Sequence, residues 1–187
     1  MAVARPRNAQ QTRTEILAAA RVRFGEDGYE RTTLRAVAAE VGVDAALVIR
    51  YFGSKESLFA AAADFRLDLP DLDRVAPEDL AAVLLPKFFA VWERDTTFLA
   101  LLRAACTSPV AADRMRTVFA AQVAPVLAAA APDHPEQRAA LFGSFVIGLA
   151  TSRYILRNPG VADMDHTELT RWAAPVTTQI LTGPTPA

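Results

Sequence analysis

Ala38, Gly42 and Val48 stand in the spacing Ala-x3-Gly-x5-Val. A small residue at the first position lets two helices cross closely. A glycine at the second reaches positive φ in a tight turn without a Cβ penalty, and the valine returns to the core. Such a turn holds the following helix outward, where it can enter a major groove. Short helix pairs are common, so the spacing also fits a plain helical hairpin. The segment Asp44–Phe52 weighs on that choice. At ~100° per residue, Val48 and Phe52 share the buried side, and Ala46 and Arg50 face directly outward, flanked by Leu47 and Ile49. Small and apolar residues around one arginine make a poor solvated face. They suit a groove, because small side chains permit close approach and apolar groups can touch thymine methyls. Packing of Leu47 and Ile49 against neighbouring helices is the alternative.

Other chemistry is sparse. No Gly-x-Ser-x-Gly elbow, Walker loop or dinucleotide fingerprint occurs. His134 and His166 are the only histidines and have no metal-ligand spacing. Their expected roles are at the surface or at helix starts. Cys106 is the only cysteine, so an intramolecular disulfide is impossible, and its simplest role is that of a small buried hydrophobe. We therefore expect no catalytic residue, no metal and no cofactor. The alternative from another class is a helical small-molecule-binding protein or enzyme without specific DNA binding, and the catalytic inventory speaks against it. A protein-interaction adaptor that docks through the same surface is a third reading.

These residues must be positioned by helices, because helix-period patterns dominate and no segment alternates with period two. The chain has 187 residues, 52% hydrophobic and 22% charged, enough for a packed core. The formal net charge is −1, which by itself gives no argument for nucleic acid. Residues 1–60 carry nine Lys+Arg against seven Asp+Glu, a slightly basic start to an otherwise slightly acidic chain. The beginning has no apolar segment of a signal peptide. The longest apolar stretch, 139–150, is broken by Gly143 and Ser144 and falls short of a membrane span. A cytoplasmic protein without membrane contact is expected.

The spacing predicts a first helix over 13–26, ended by Gly28, and a second after Thr33 that Gly42 breaks. A short third, capped by Asp44, ends near Phe52, and a fourth runs from Lys55 to about Phe65. The acidic stretch 66–77 with its two prolines reads as a hinge to a helical body. That body offers helices near 78–93, 96–106, 109–131, 135–157 and 165–182, and Pro86, Pro125 and Pro175 should each kink or split one. The expected architecture is all-α with about nine helices. Residues 1–60 form a head, with 1–11 as a flexible arm, and 61–187 form the body.

The head resembles the TetR family of bacterial repressors, over roughly a quarter of the chain. Phe24-Gly-Glu-Asp-Gly28-Tyr29-Glu-Arg-Thr32-Thr33 is similar to the family's Phe-x3-Gly-Tyr-x2-Thr-Thr. Leu34–Val43 matches its second helix, and Asp44–Leu58 its recognition helix and the start of its fourth. The resemblance implies a repressor that binds double-stranded operator DNA as a homodimer and answers to a small-molecule inducer. It makes Arg35 the best base reader, since arginine there can reach guanine O6 and N7. Thr33, Tyr51 and Lys55 match phosphate-holding positions; Lys55 opens a helix, where amides and dipole favour an anion. For Thr33 and Asp44 simple capping is the alternative, and for Lys55 a solvated surface lysine. Ala45, Ala46, Leu47, Ile49 and Arg50 complete the expected DNA face. Leu47 stands where threonine is frequent and Ile49 where tyrosine is, which removes hydrogen-bonding side chains at both. Arg5 and Arg7 can follow the minor groove as an arm, and a disordered, uninvolved tail is the alternative.

In the body, Phe142, Phe145 and Leu149 lie on one arc, and Trp172, Val176 and Ile180 on another. The resemblance makes these two helices the dimer face, though such stripes can equally close the protomer's own core. Phe88, Trp92, Phe98, Leu102 and Phe119 form an aromatic and aliphatic supply. Such a stripe is usually core. TetR-like bodies hold a ligand among these helices, so a largely apolar inducer site is expected there, with Arg153 and Tyr154 as polar anchors. An internal or intersubunit ion pair is the competing role for Arg153.

Overall fold

A computed structural model of the chain describes residues 9–64, 66–94 and 96–185; residues 1–8 of the expected arm, with Arg5 and Arg7, and Phe65 lie outside them, whereas residues 9–11, expected in the arm, are the first turn of the first helix. In chain order the α-helices are α1 (Ala9–Glu26), α2 (Gly28–Arg31), α3 (Leu34–Val41), α4 (Ala45–Phe52), α5 (Lys55–Ala62) and α6 (Leu80–Arg94). They continue with α7 (Thr96–Ala105), α8 (Pro109–Val118), α9 (Ala124–Ala129), α10 (Pro135–Ala150), α11 (Pro159–Ala162) and α12 (His166–Thr182). A π turn over Phe119–Val123 joins α8 to α9, and a second over Thr151–Ile155 extends α10. Taking each continuous rod as one helix and setting aside the single turns α2 and α11 leaves nine helices among the described residues. The fold is all-α, as the periodicity implies.

The chain divides into two compact units, Met1–Phe65 with Thr96–Arg114, and Arg66–Asp95 with Met115–Ala187. In the first, α1 packs against α3, α5 and α7. Ile16, Ala20 and Phe24 form its buried stripe, and Val37 and Ala38 of α3, Val48 and Phe52 of α4, and Leu58 and Phe59 of α5 are buried in the same unit. The rings of Phe24 and Tyr29 each stand 4.9 Å from Phe59 in edge-to-face arrangement. Arg23 ties α1 to α3 through Glu40 at 2.6 Å. The α7 stripe of Phe98, Leu101 and Leu102 is buried in this same unit.

In the second unit α6 packs on α12, and α10 packs on both α9 and α12. Leu84, Leu85, Phe88, Phe89 and Trp92 bury the inner side of α6. Arg138 is a buried cation held by the chain itself: it donates to Asp133 Oδ1 at 2.6 Å, to Ile180 O at 2.9 Å and to Gly183 O at 2.7 Å. It thereby caps the carbonyl end of α12 from the first turn of α10, where positive charge is favoured.

Three expectations change. Pro86 and Pro175 lie inside continuous helices. Each is exposed, as are Ala82 and Arg171 four residues earlier, so the carbonyl each proline leaves unpaired faces outward. Of these three prolines, only Pro125 has a change of helix character beside it, the π turn directly ahead. Cys106 is exposed rather than buried, because it follows the last turn of α7. No described helix is long and apolar enough to cross a membrane.

Candidate nucleic-acid interface

The turn between α3 and α4 is set by local hydrogen bonds. Gly42 adopts φ 70°, ψ 40°. Its N–H donates to Ala39 O at 3.2 Å, and the Val43 N–H donates to Ala38 O at 3.0 Å. This pair of bonds around a left-handed glycine is a Schellman termination, which ends α3 and fixes the departure of the chain. Asp44 then opens α4 by accepting from the Ala46 N–H at 2.7 Å, and Thr33 opens α3 by accepting from the Ala36 N–H at 3.1 Å. After α4, Gly53 has φ 80°, ψ −65°, and the Ser54 N–H donates across it to Phe52 O at 3.0 Å. That is a γ-turn, a conformation strained for any side chain.

Held this way, α4 buries Val48 and Phe52 and turns Ala46, Ile49 and Arg50 outward. Ala45, Leu47 and Tyr51 are half-buried at the edges of that face. Ile49 is 50% exposed, high for an isoleucine on a helix whose inner side is already filled. Arg35, on α3, and Thr33 are exposed. Neither Arg35 nor Arg50 has a hydrogen-bond or ion-pair partner among the described residues, so both guanidinium groups are available to an anionic partner.

Lys55 is differently placed. Its ammonium donates to Glu30 O at 3.1 Å and sits 4.5 Å from the centre of the Tyr29 ring. Tyr29 donates its hydroxyl to Glu56 at 3.1 Å. Burial, then the Glu56 hydrogen bond and charge, push the Tyr29 phenol up to about 12. Glu56 is held below the usual carboxylate range by hydrogen bonds from its own backbone N–H, Ser54 and Tyr29. This cluster locks α2 to the start of α5, and sequence reasoning on Lys55 alone did not reveal it.

Residues 16–62 match the family model of bacterial regulatory proteins of the tetR family, and residues 78–181, more than half of the chain, match that of the tetracyclin repressor-like C-terminal domain. The chain belongs to the TetR family. As a TetR-family protein it is a DNA-binding transcriptional regulator and not an enzyme. The Shigella flexneri HTH-type transcriptional dual regulator CecR is 42% identical over 59 residues, 32% of this chain. The match spans 26%, about a quarter, of that relative's length. Among solved structures, GusR of Salmonella enterica superposes with a TM-score of 0.68 at 19% identity, over 91% of this chain and 95% of that one. SmeT in complex with triclosan gives 0.65 at 25% identity, over 94% and 98%. NalD of Pseudomonas aeruginosa, the secondary repressor of the MexAB-OprM multidrug efflux pump, gives 0.64 at 20% identity, over 93% and 98%. These likenesses carry the fold.

In the TetR-type body, Phe88 and Trp92 stack at 5.9 Å, and the Tyr154 ring stands 5.8 Å from Trp92. Phe119 is half-buried in the first π turn. Phe98 and Leu102 belong to the other unit, so the seven expected pocket residues do not all come from one. Arg153 is engaged internally: its Nη1 donates to Val161 O at 2.7 Å and Met164 O at 2.8 Å, and its Nε to the Tyr154 hydroxyl at 3.2 Å. Tyr154 in turn donates to Glu93 at 2.7 Å, and His166 Nε2 lies 2.8 Å from the same oxygen. Burial and then the Glu93 hydrogen bond push the Tyr154 phenol up to about 12. Burial pushes the Glu93 carboxyl up, but hydrogen bonds from Tyr154 and His166 and the nearby charge of His166 and Arg153 outweigh it and hold the group below its usual range. Glu93 and His166 lie 61 and 12 residues from Tyr154, and no motif announced the cluster.

Of the expected dimer face, Phe142 is fully buried, its ring 6.3 Å from Phe88 and 6.1 Å from Phe145. It belongs to the protomer interior, because its arc of α10 faces α6 aromatics rather than solvent. Phe145, Leu149 and Ile180 are half-buried. Trp172 is 68% exposed, and Val176 is exposed beside it on α12. Leu141, 60% exposed and one turn ahead of Phe145, was absent from the expected set although the same helical period points to it.

Proposed function

We propose that the protein is a ligand-responsive repressor that binds a palindromic operator as a homodimer and is released by a small, largely apolar molecule. The observation that carries this is the outward face of α4, Ala46, Ile49 and Arg50, together with Arg35 of α3, neither arginine having a hydrogen-bond or ion-pair partner among the described residues. Arg35 is the base-reading residue, directed at guanine O6 and N7. Thr33 keeps its hydroxyl hydrogen for a phosphate while its oxygen caps α3. Tyr51 and Lys55 hold further phosphates; Lys55 exchanges Glu30 O for one on binding. Asp44 acts through its cap, and Ala45 and Ala46 permit close approach.

Residues 1–60 form the DNA-reading part in this proposal, and 61–187 the ligand-binding and dimerisation part, in a cytoplasmic protein. Trp172 and Val176 of α12, with Leu141, Phe145 and Leu149 of α10, supply an apolar surface that a second copy covers. Phe88, Trp92, Phe119 and Tyr154 line the ligand site; that SmeT has been solved with triclosan supports an apolar ligand class. A ligand there changes DNA affinity only by favouring one arrangement of the two heads over another.

Gel-shift of the full chain against the intergenic DNA upstream of its own gene tests the proposal. A retarded, competitor-resistant complex is expected. Binding no tighter than to unrelated duplex would overturn it.

A further inference from the structure

The exposed arc of α4 holds only three side chains. At 100° per residue, Ile49, Ala46 and Arg50 follow one another around about 100° of the helix, with the alanine in the middle. Arg50 is the only hydrogen-bonding group among them. The Asp44 carboxylate is taken up by the Ala46 N–H, and Leu47 and Tyr51 sit half-buried at the margins. The face is therefore poor in the hydrogen-bonding groups that read base edges and rich in apolar surface. The major groove presents one apolar feature, the thymine 5-methyl group.

We infer that Ile49 reads the 5-methyl group of a thymine in each operator half-site. The inference rests on the DNA-binding reading above and names the residue and the chemical feature behind part of its sequence choice. The fold does not need Ile49 where it stands, since Val48 and Phe52 already supply the buried side of α4 and Ile49 is 50% exposed. Ala46, one turn earlier, has a side chain small enough to let this part of the helix approach the groove floor. A β-branched side chain in a helix keeps essentially one χ1 rotamer, so its methyl groups are presented at little entropic cost. The exposed Arg35 and Arg50 and the half-buried Lys55 of the same head provide charge complementary to the duplex.

The test uses the full chain and an operator enriched by it from a random duplex pool. Each thymine of a half-site is replaced singly by deoxyuridine, which removes only the methyl group. The same position is also tested as cytosine and as 5-methylcytosine paired with guanine, which restores the methyl on a different hydrogen-bonding edge. At one or two thymines per half-site, deoxyuridine should weaken wild-type binding by about four-fold, the scale of one buried methyl group. At those positions 5-methylcytosine should bind better than cytosine. Ile49→Ala, at an exposed site where the fold tolerates it, should bind the thymine and deoxyuridine operators equally. A wild type with no thymine-over-deoxyuridine preference, or an Ile49→Ala that keeps the full preference, would overturn the inference while leaving operator binding intact. Failure to enrich any sequence would overturn both readings.

Discussion

Gly143 lies buried in the middle of α10, and a Cβ built on it would collide with Cε2 of Phe119 and stand 3.0 Å from its Cζ. Replacing it with alanine sets two opposed effects against each other. Removing a mid-helix glycine favours the helix by about 0.8–1.0 kcal/mol. Overpacking a filled site costs about 1–3 kcal/mol. The Phe119 ring is half-buried on a π turn, so it yields only in part, and the net effect should be a loss of roughly 0–2 kcal/mol. For a chain of this length that is a fall in Tm of up to about 8 °C. In a Phe119→Ala background the ring edge is gone, and Gly143→Ala should there raise stability by about 1 kcal/mol. The sign of the same substitution thus reverses, with a coupling of about 1–3 kcal/mol between neighbours. Urea unfolding followed by far-UV circular dichroism, at one fixed protein concentration, measures all four proteins. If Gly143→Ala stabilises both backgrounds equally, the ring does not occupy the notch and the packing argument is wrong.

Other expectations follow from the head, the α12 surface and the titrating groups. Arg35→Ala should cost about 1–3 kcal/mol on the enriched operator and relax preference at one base pair, whereas Lys55→Ala should weaken all sequences alike and lower the salt slope by about one; anisotropy titrations at several salt concentrations separate the two. Trp172→Glu with Val176→Glu should leave the helical content intact and give a monomer in light scattering that no longer selects the operator. Glu93 is held below the usual carboxylate range, so its contribution is complete above its unfolded-state pKa of ~4.3 and is lost as pH falls through the folded value. Glu93→Gln should therefore flatten the fall in stability on acidification below about pH 5, and an unchanged pH profile would show that the Tyr154 and His166 contacts do not hold in solution.

The head was legible because its determinants are local. Thr33, Asp44, Gly28 and Gly42 act within a few residues of themselves, through caps and left-handed turns, and the structure places them at the boundaries the sequence implies. The outward and inward sides of α4 follow from periodicity alone, as Val48 and Ile49 illustrate. What sequence did not show depends on partners far along the chain. Lys55 meets Glu30 O across 25 residues and Tyr29 across 26, and Arg138 reaches Ile180 O across 42. Phe142 and Trp172 carry similar apolar stripes, yet one is interior and the other exposed, because only packing decides which arc of a helix meets its neighbour. Helix-breaking residues depend on packing in the same way: Pro86 and Pro175 do not split their helices, because the freed carbonyl faces outward.

The central claim is site-selective DNA binding by the exposed faces of α3 and α4, displayed twice in a dimer. Hydroxyl-radical footprinting of the full chain on its upstream intergenic duplex tests it most directly. The account predicts two protected patches related by a two-fold axis, with major-groove contacts about one helical turn apart, ~34–36 Å or slightly more, and weaker protection of both patches by Arg35→Ala at the protein concentration that half-saturates the wild type. Uniform protection without a preferred site, a single unsymmetric patch, or a footprint unchanged in Arg35→Ala would contradict it.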